Sequence, residues 1–147
     1  MSEPPGRPDL RPGASLIDVD ALRAFLDDRL PGEGRFDIER HRAGHSNETF
    51  FVRRSGHTWV LRRPPHGAFL PTAHDVLREH RVLDALAGSA VRAPRPVLAC
   101  PDPGVIGAPF YLMERVEGVV IRDRLPGWAG PEERRRIGQE LVDALAE

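Results

Sequence analysis

Residues 42–54 read RAGHSNETFFVRR. A short polar turn with one glycine, Gly44, runs straight into an alternating run of β-branched and aromatic residues. On its N-terminal side RFDIERHR (35–42) alternates in the same way. On the far side a Ser55–Gly56 turn leads into HTWVLRR (57–63). Strands joined by short turns of this kind predict three antiparallel neighbours. Pro64 and Pro65 stop the third, because neither can donate to a ladder.

Working outward, SLIDVDALRAFLDDRLPG (15–32) predicts a helix. Asp18 can cap it, Leu22, Phe25, Leu26 and Leu30 recur at helical spacing, and Pro31 and Gly32 end it. Downstream, LPTAHDVLREHRVLDALAG (70–88) predicts a second helix. Thr72 and Asp75 have the spacing of a capping box, and Gly88 stands where a left-handed cap would close it. RPVLAC (95–100) and PFYLMERV (109–116) predict two further strands. Gly130 and Pro131 open a last helix with an apolar stripe of Ile137, Leu141, Ala144 and Leu145. The order is helix, three strands, helix, two strands, helix, without repeats.

The chain has 147 residues and a net charge of −1. That is the length of one ordinary domain, and the charge gives no general attraction to nucleic acid or anionic membrane. All the basic side chains besides histidine are arginine, which reads as coding bias. A single cysteine, Cys100, excludes an internal disulfide and suits a reducing cytoplasm. The first residues, MSEPPGRPDLRPGAS, have no apolar core of the kind a signal peptide needs, and residues 1–14 read as a disordered tail. No apolar run approaches a membrane span of about 20 residues. The expectation is a soluble, cytoplasmic protein.

On the wheel of the second helix, Val76, Val82, Leu83 and Leu86 share one face, and Glu79 falls in its middle. A carboxylate aimed at a core is costly unless paired, so the sequence calls for a cation. Strand alternation puts Val60 and Arg62 on one face and Trp59, Leu61 and Arg63 on the other; either arginine could serve. The six histidines show no metal-ligand spacing: His41 and His45 flank a turn, and His74 and His80 are six apart on a helix.

Four strings in order, GHSNETF, WVLRRPP, LPTAHDVLREHRVL and GAPFYLMERVEG, resemble the N-terminal lobe of the protein-kinase-like fold. More narrowly they resemble the aminoglycoside/choline-type small-molecule phosphotransferases, closest to a branch with bacterial phosphotransferases and the kinase-like domains fused to acyl-CoA dehydrogenases. The resemblance spans about residues 18–147. It implies an α+β lobe over residues 15–118, a five-stranded antiparallel sheet with a helix packed on it. Residues 119–147 would be a linker and the first helix of a second, truncated lobe.

The resemblance also implies roles. The turn Gly44–Asn47 would cover the phosphates of ATP, with backbone N–H groups and the Ser46 and Asn47 side chains as contacts. It has the form G-x-S-N instead of the three-glycine loop of protein kinases. Arg62 matches the strand lysine of that fold, Val60 lies beneath the adenine, and Glu79 is the helix carboxylate that holds the cation. Arg63 would then be the surface member of the pair. Met113 would back the adenine pocket, and the Glu114 carbonyl and Val116 N–H would bond the adenine edge.

The family's H-x-D-x-x-x-x-N catalytic loop and its later metal-binding segment have no counterpart here, so no catalytic residue is assigned, and Mg²⁺ is expected only with a second lobe present. Two functions follow as expectations. One is the ATP-binding lobe of a kinase acting on a small-molecule hydroxyl. The other is a non-catalytic interaction module or inactive fragment that pairs with another chain. Self-association through the last helix is a separate expectation.

Overall fold

The computed structural model describes residues 17–41, 46–65, 74–121 and 123–146. Five antiparallel strands form one sheet: β1 (Phe36–His41), β2 (Glu48–Arg54), β3 (His57–Arg63), β4 (Pro96–Cys100) and β5 (Phe110–Glu114). Their spatial order is β1-β2-β3-β5-β4. Three helices, α1 (Val19–Asp27), α2 (Val76–Leu86) and α3 (Pro131–Ala146), complete the expected element order.

Asp18 caps α1, its Oδ1 accepting from the Ala21 N–H at 2.9 Å. The helix ends at Asp27, ahead of Pro31 and Gly32. Leu22 and Leu26 are fully buried against Phe50, Val52, Trp59, Leu61, Phe110 and Leu112. Each such side chain contributes roughly 1.5–3 kcal/mol of burial. These sheet residues alternate with Phe51, Val60, Arg62, Tyr111 and Met113, which face the opposite way. The sheet therefore has a back face covered by α1 and a front face partly covered by α2, which packs against β4 and β5.

The β2–β3 hairpin turns on Ser55 and Gly56, with φ of 48° and 80°. Two successive positive φ values match the right-handed twist of the flanking strands. The Ser55 hydroxyl donates to the Glu33 carbonyl. Gly32 meets this corner so closely that a Cβ there would lie 2.5 Å from the Ser55 Cβ.

Three sequence expectations need correction. Asp75 is itself the N-cap of α2, accepting from the Arg78 N–H at 2.9 Å. It is not the third residue of a capping box begun by Thr72, a residue outside those described. Val82 is 52% exposed instead of sharing the covered face with Val76. Arg63 is not a surface residue: it is 2% exposed on the back face. Its Nε lies 2.8 Å from Glu48 Oε2 and its Nη1 donates to the Ile106 carbonyl at 3.0 Å. Glu48 Oε1 also takes Arg40 at 2.9 Å. The carboxylate at the first position of β2 makes burial of Arg63 tolerable.

Candidate functional site

The front face carries a cleft of about 500 Å³ between α2 and the sheet. Arg62 and Glu79 line it, with Asp75, Arg78, Val82, Leu83, Pro94, Tyr111 and Met113. Arg62 arrives there because it is one residue out of phase with the core positions Leu61 and Arg63. Glu79 arrives because the Asp75 cap sets the first turn of α2 over β5.

The centre is the Glu79 carboxylate. Its Oε2 lies 3.1 Å from Arg62 Nε and accepts from the Tyr111 hydroxyl at 3.0 Å. Its Oε1 accepts from Asn47 Nδ2 at 2.7 Å and, at a long 3.5 Å, from Arg62 Nη2. The Arg62 Nε is buried and at ion-pair distance, yet off the line of a hydrogen bond. Arg62 and Glu79 side chains are 28% and 35% exposed, so the pair is half-buried at the cleft wall. Burial pushes the Tyr111 hydroxyl pKa well up; the Glu79 charge adds to the rise and Arg62 partly offsets it. Tyr111 is therefore a firm neutral donor.

The expected site residues fall as follows. Arg62, Glu79 and Asn47 meet directly. Val60 is 8% exposed and stands opposite Met113 across the β3–β5 ladder and opposite Phe51 across β2–β3. Met113 lines the cleft. Glu114, the last residue of β5, and Val116, two residues beyond it, are exposed, and the Glu114 N–H donates to the Arg95 carbonyl at 2.9 Å. Ser46 is exposed in a bend just ahead of β2. Gly44 lies outside the described residues. The Asn47 side chain is 5% exposed and already engaged, with one amide N–H on Glu79 and its oxygen 3.1 Å from His74 Nδ1.

Tyr111 and His74 join the network without having been foreseen. Tyr111 sits on a strand where an aromatic reads as core; only its position two residues before Met113, on the Arg62 face, hints at more. His80 packs its ring edge-on against Tyr111 with centroids 5.8 Å apart. Among the described residues, no group of three His, Cys, Asp or Glu could hold a metal ion. No described helix is long and apolar enough to cross a membrane.

A helix carboxylate clamping a strand arginine on the open face of a five-stranded sheet defines a kinase-like lobe. The profile of the phosphotransferase enzyme family matches residues 37–147, and the chain belongs to that family. It is 37% identical to a solved Ralstonia eutropha structure assigned as an aminoglycoside phosphotransferase. That match has a TM-score of 0.71 and covers 88% of this chain and 37% of the other. Acyl-CoA dehydrogenase family member 11 of Rattus norvegicus is 39% identical over 88% of this chain. The Homo sapiens protein of that name is 40% identical over 89%. The chain spans 17% of the length of these two relatives.

Proposed function

We propose that this chain is the ATP-binding lobe of a small-molecule phosphotransferase, which moves the γ-phosphate of ATP to a hydroxyl acceptor. The observation that carries the reading is the Arg62–Glu79 pair on the open front face, reached by Asn47 from just before β2. Phosphoryl transfer asks a protein mainly for positioning and for positive charge near the phosphate oxygens. A guanidinium held on one side by a carboxylate keeps donors for a second anion on the other. Arg62 fits that task, because its side chain is partly exposed at the cleft wall and its Nη2 bond to Glu79 is long.

In this reading Val60 and Met113 give the adenine an apolar wall, and the Glu114 carbonyl and Val116 N–H bond its edge. Ser46 and the backbone of the turn hold phosphate oxygens. Mg²⁺ does not fit the described residues, which bring no carboxylate set together. The metal ligands and the residue that orients the acceptor hydroxyl would come from outside these 147 residues. The buried lone Cys100 suits a reducing compartment, and the cytoplasm belongs to the same proposal.

Calorimetry of ATP binding to this chain is the test. Expected is weak binding, little changed by Mg²⁺ and abolished by Arg62→Ala. A tight, Mg²⁺-dependent site, or full binding by Arg62→Ala, would overturn the assignment. The second reading, a module that pairs with another chain, is favoured by the exposed Leu141, Val142 and Leu145 on α3.

A further inference from the structure

We propose that Asn47 is a positioning residue: it withholds one oxygen of Glu79 from Arg62, so that the arginine keeps donors free for an anionic ligand. The inference builds on the nucleotide-site reading above, but its first measurement does not depend on it.

A carboxylate can only accept, so the edge of the Asn47 amide facing Glu79 must be the NH₂. The amide oxygen then faces His74, and the Nδ1 of a neutral His74 must carry the proton. The chain of donors runs in one direction on each side of Asn47: His74 N–H to the amide oxygen, and amide N–H to Glu79 Oε1. Both contacts are made by a buried side chain, Asn47 being 5% exposed.

The consequence lies in the competition for Glu79. Arginine and a carboxylate prefer a two-bond fork. Here Oε1 is taken by Asn47 at 2.7 Å, and Arg62 Nη2 is left at 3.5 Å. Oε2 is shared between Arg62 Nε at 3.1 Å and the Tyr111 hydroxyl at 3.0 Å. Glu79 thus holds Arg62 without saturating it. With Asn47 gone, Oε1 would be free to complete the fork and consume the Nη2 donor.

The test is ¹⁵N NMR of the Arg62 guanidinium in the full chain, with Asn47→Ala and the isosteric Asn47→Asp. The second variant carries the same test if the first fails to fold, because it keeps the shape and loses the donor. Expected in Asn47→Ala is a shifted Arg62 Nε–H signal with slower exchange, and ATP affinity lowered about tenfold, the worth of one hydrogen bond to a charged group. Asn47→Asp should shift the same signal, since a second carboxylate beside Glu79 repels it. A shift of the Arg62 signal in a chain that ATP perturbs nowhere would sustain the positioning role and sink the nucleotide reading. An Arg62 signal identical in all three proteins would overturn the positioning role, whatever ATP does.

Discussion

The Tyr111 hydroxyl donates to Glu79 Oε2 at 3.0 Å, tying the middle of β5 to the first turn of α2. Burial and the Glu79 charge both raise its pKa, so the folded protein holds the phenol proton more tightly than the unfolded chain does. A raised folded pKa gives stability that is fully present below the ordinary tyrosine value, about 10, and is lost as pH climbs toward the folded one. Tyr111→Phe should cost about 1 kcal/mol at neutral pH, the typical net worth of one hydrogen bond. It should also flatten the fall in stability above pH ~10 that the unsubstituted protein shows. Urea titrations at neutral and alkaline pH check both. Parallel curves for the two proteins through the alkaline range would mean that the phenol is not held as the geometry indicates.

The two neighbouring arginines of β3 should behave oppositely. Arg63 is enclosed with Glu48, the side chains being 3% and 7% exposed. Removing one member strands a buried charge and costs roughly 3–5 kcal/mol. Arg63→Met should therefore be severely destabilising, and the paired change with Glu48→Leu should recover much of the loss. Arg62→Met, at the cleft wall, should cost about 1 kcal/mol or less. Chemical denaturation of the three variants gives the comparison; equal losses at positions 62 and 63 would contradict the assignment of faces.

A double-mutant cycle on Arg62→Ala and Glu79→Ala should give a coupling of about 1 kcal/mol or less, as for other partly exposed pairs. Added salt should shrink it, since screening reaches such sites. A coupling that 1 M salt leaves unchanged would indicate a pair far more enclosed than the cleft suggests.

Much of this was legible beforehand. Period-two alternation marked the first strands, the short runs RPVLAC and PFYLMERV marked the last two, and the carboxylate at Glu79, set between apolar helix positions, announced a cation on the sheet. Alternation separates the two faces of a strand but does not say which one a helix will cover. That is why Arg63 read as exposed: its partner Glu48 stands at the start of β2, where it looks like part of the turn. The α2 wheel likewise joined Val82 to Val76, although only the N-terminal end of that face lies fully under cover. Asp75 and Thr72 are both good caps, and choosing between them needs the path of the chain into α2. The Asn47, His74 and Tyr111 contacts connect parts of the chain that are far apart in sequence. No local pattern encodes them, since Asn favours turns anyway and Tyr favours strands.

Helix α3 presents Leu141, Val142 and Leu145 at 61%, 60% and 81% exposure, while Ile137 and Ala144 are half-buried. The helix is held to the rest by an ion pair from Arg92 Nη1 to Glu140 Oε2 at 2.6 Å and by Arg134 Nε donating to the Ala129 carbonyl at 2.9 Å. Neither contact covers the apolar side chains. Each large one left in water forgoes roughly 1.5–3 kcal/mol of available burial, and a contiguous set of them forms a contact surface. This chain should therefore self-associate through residues 137–145 at micromolar to millimolar concentration. Leu141→Gln with Leu145→Gln should shift it toward monomer while leaving the thermal midpoint nearly unchanged, because these side chains contribute little to the fold they stand outside. Light scattering over a concentration series measures the first effect and a melting curve the second. A concentration-independent monomer before any substitution, with slow amide exchange along the whole of α3, would mean that the stripe is sheltered within the chain and that the surface is no interface.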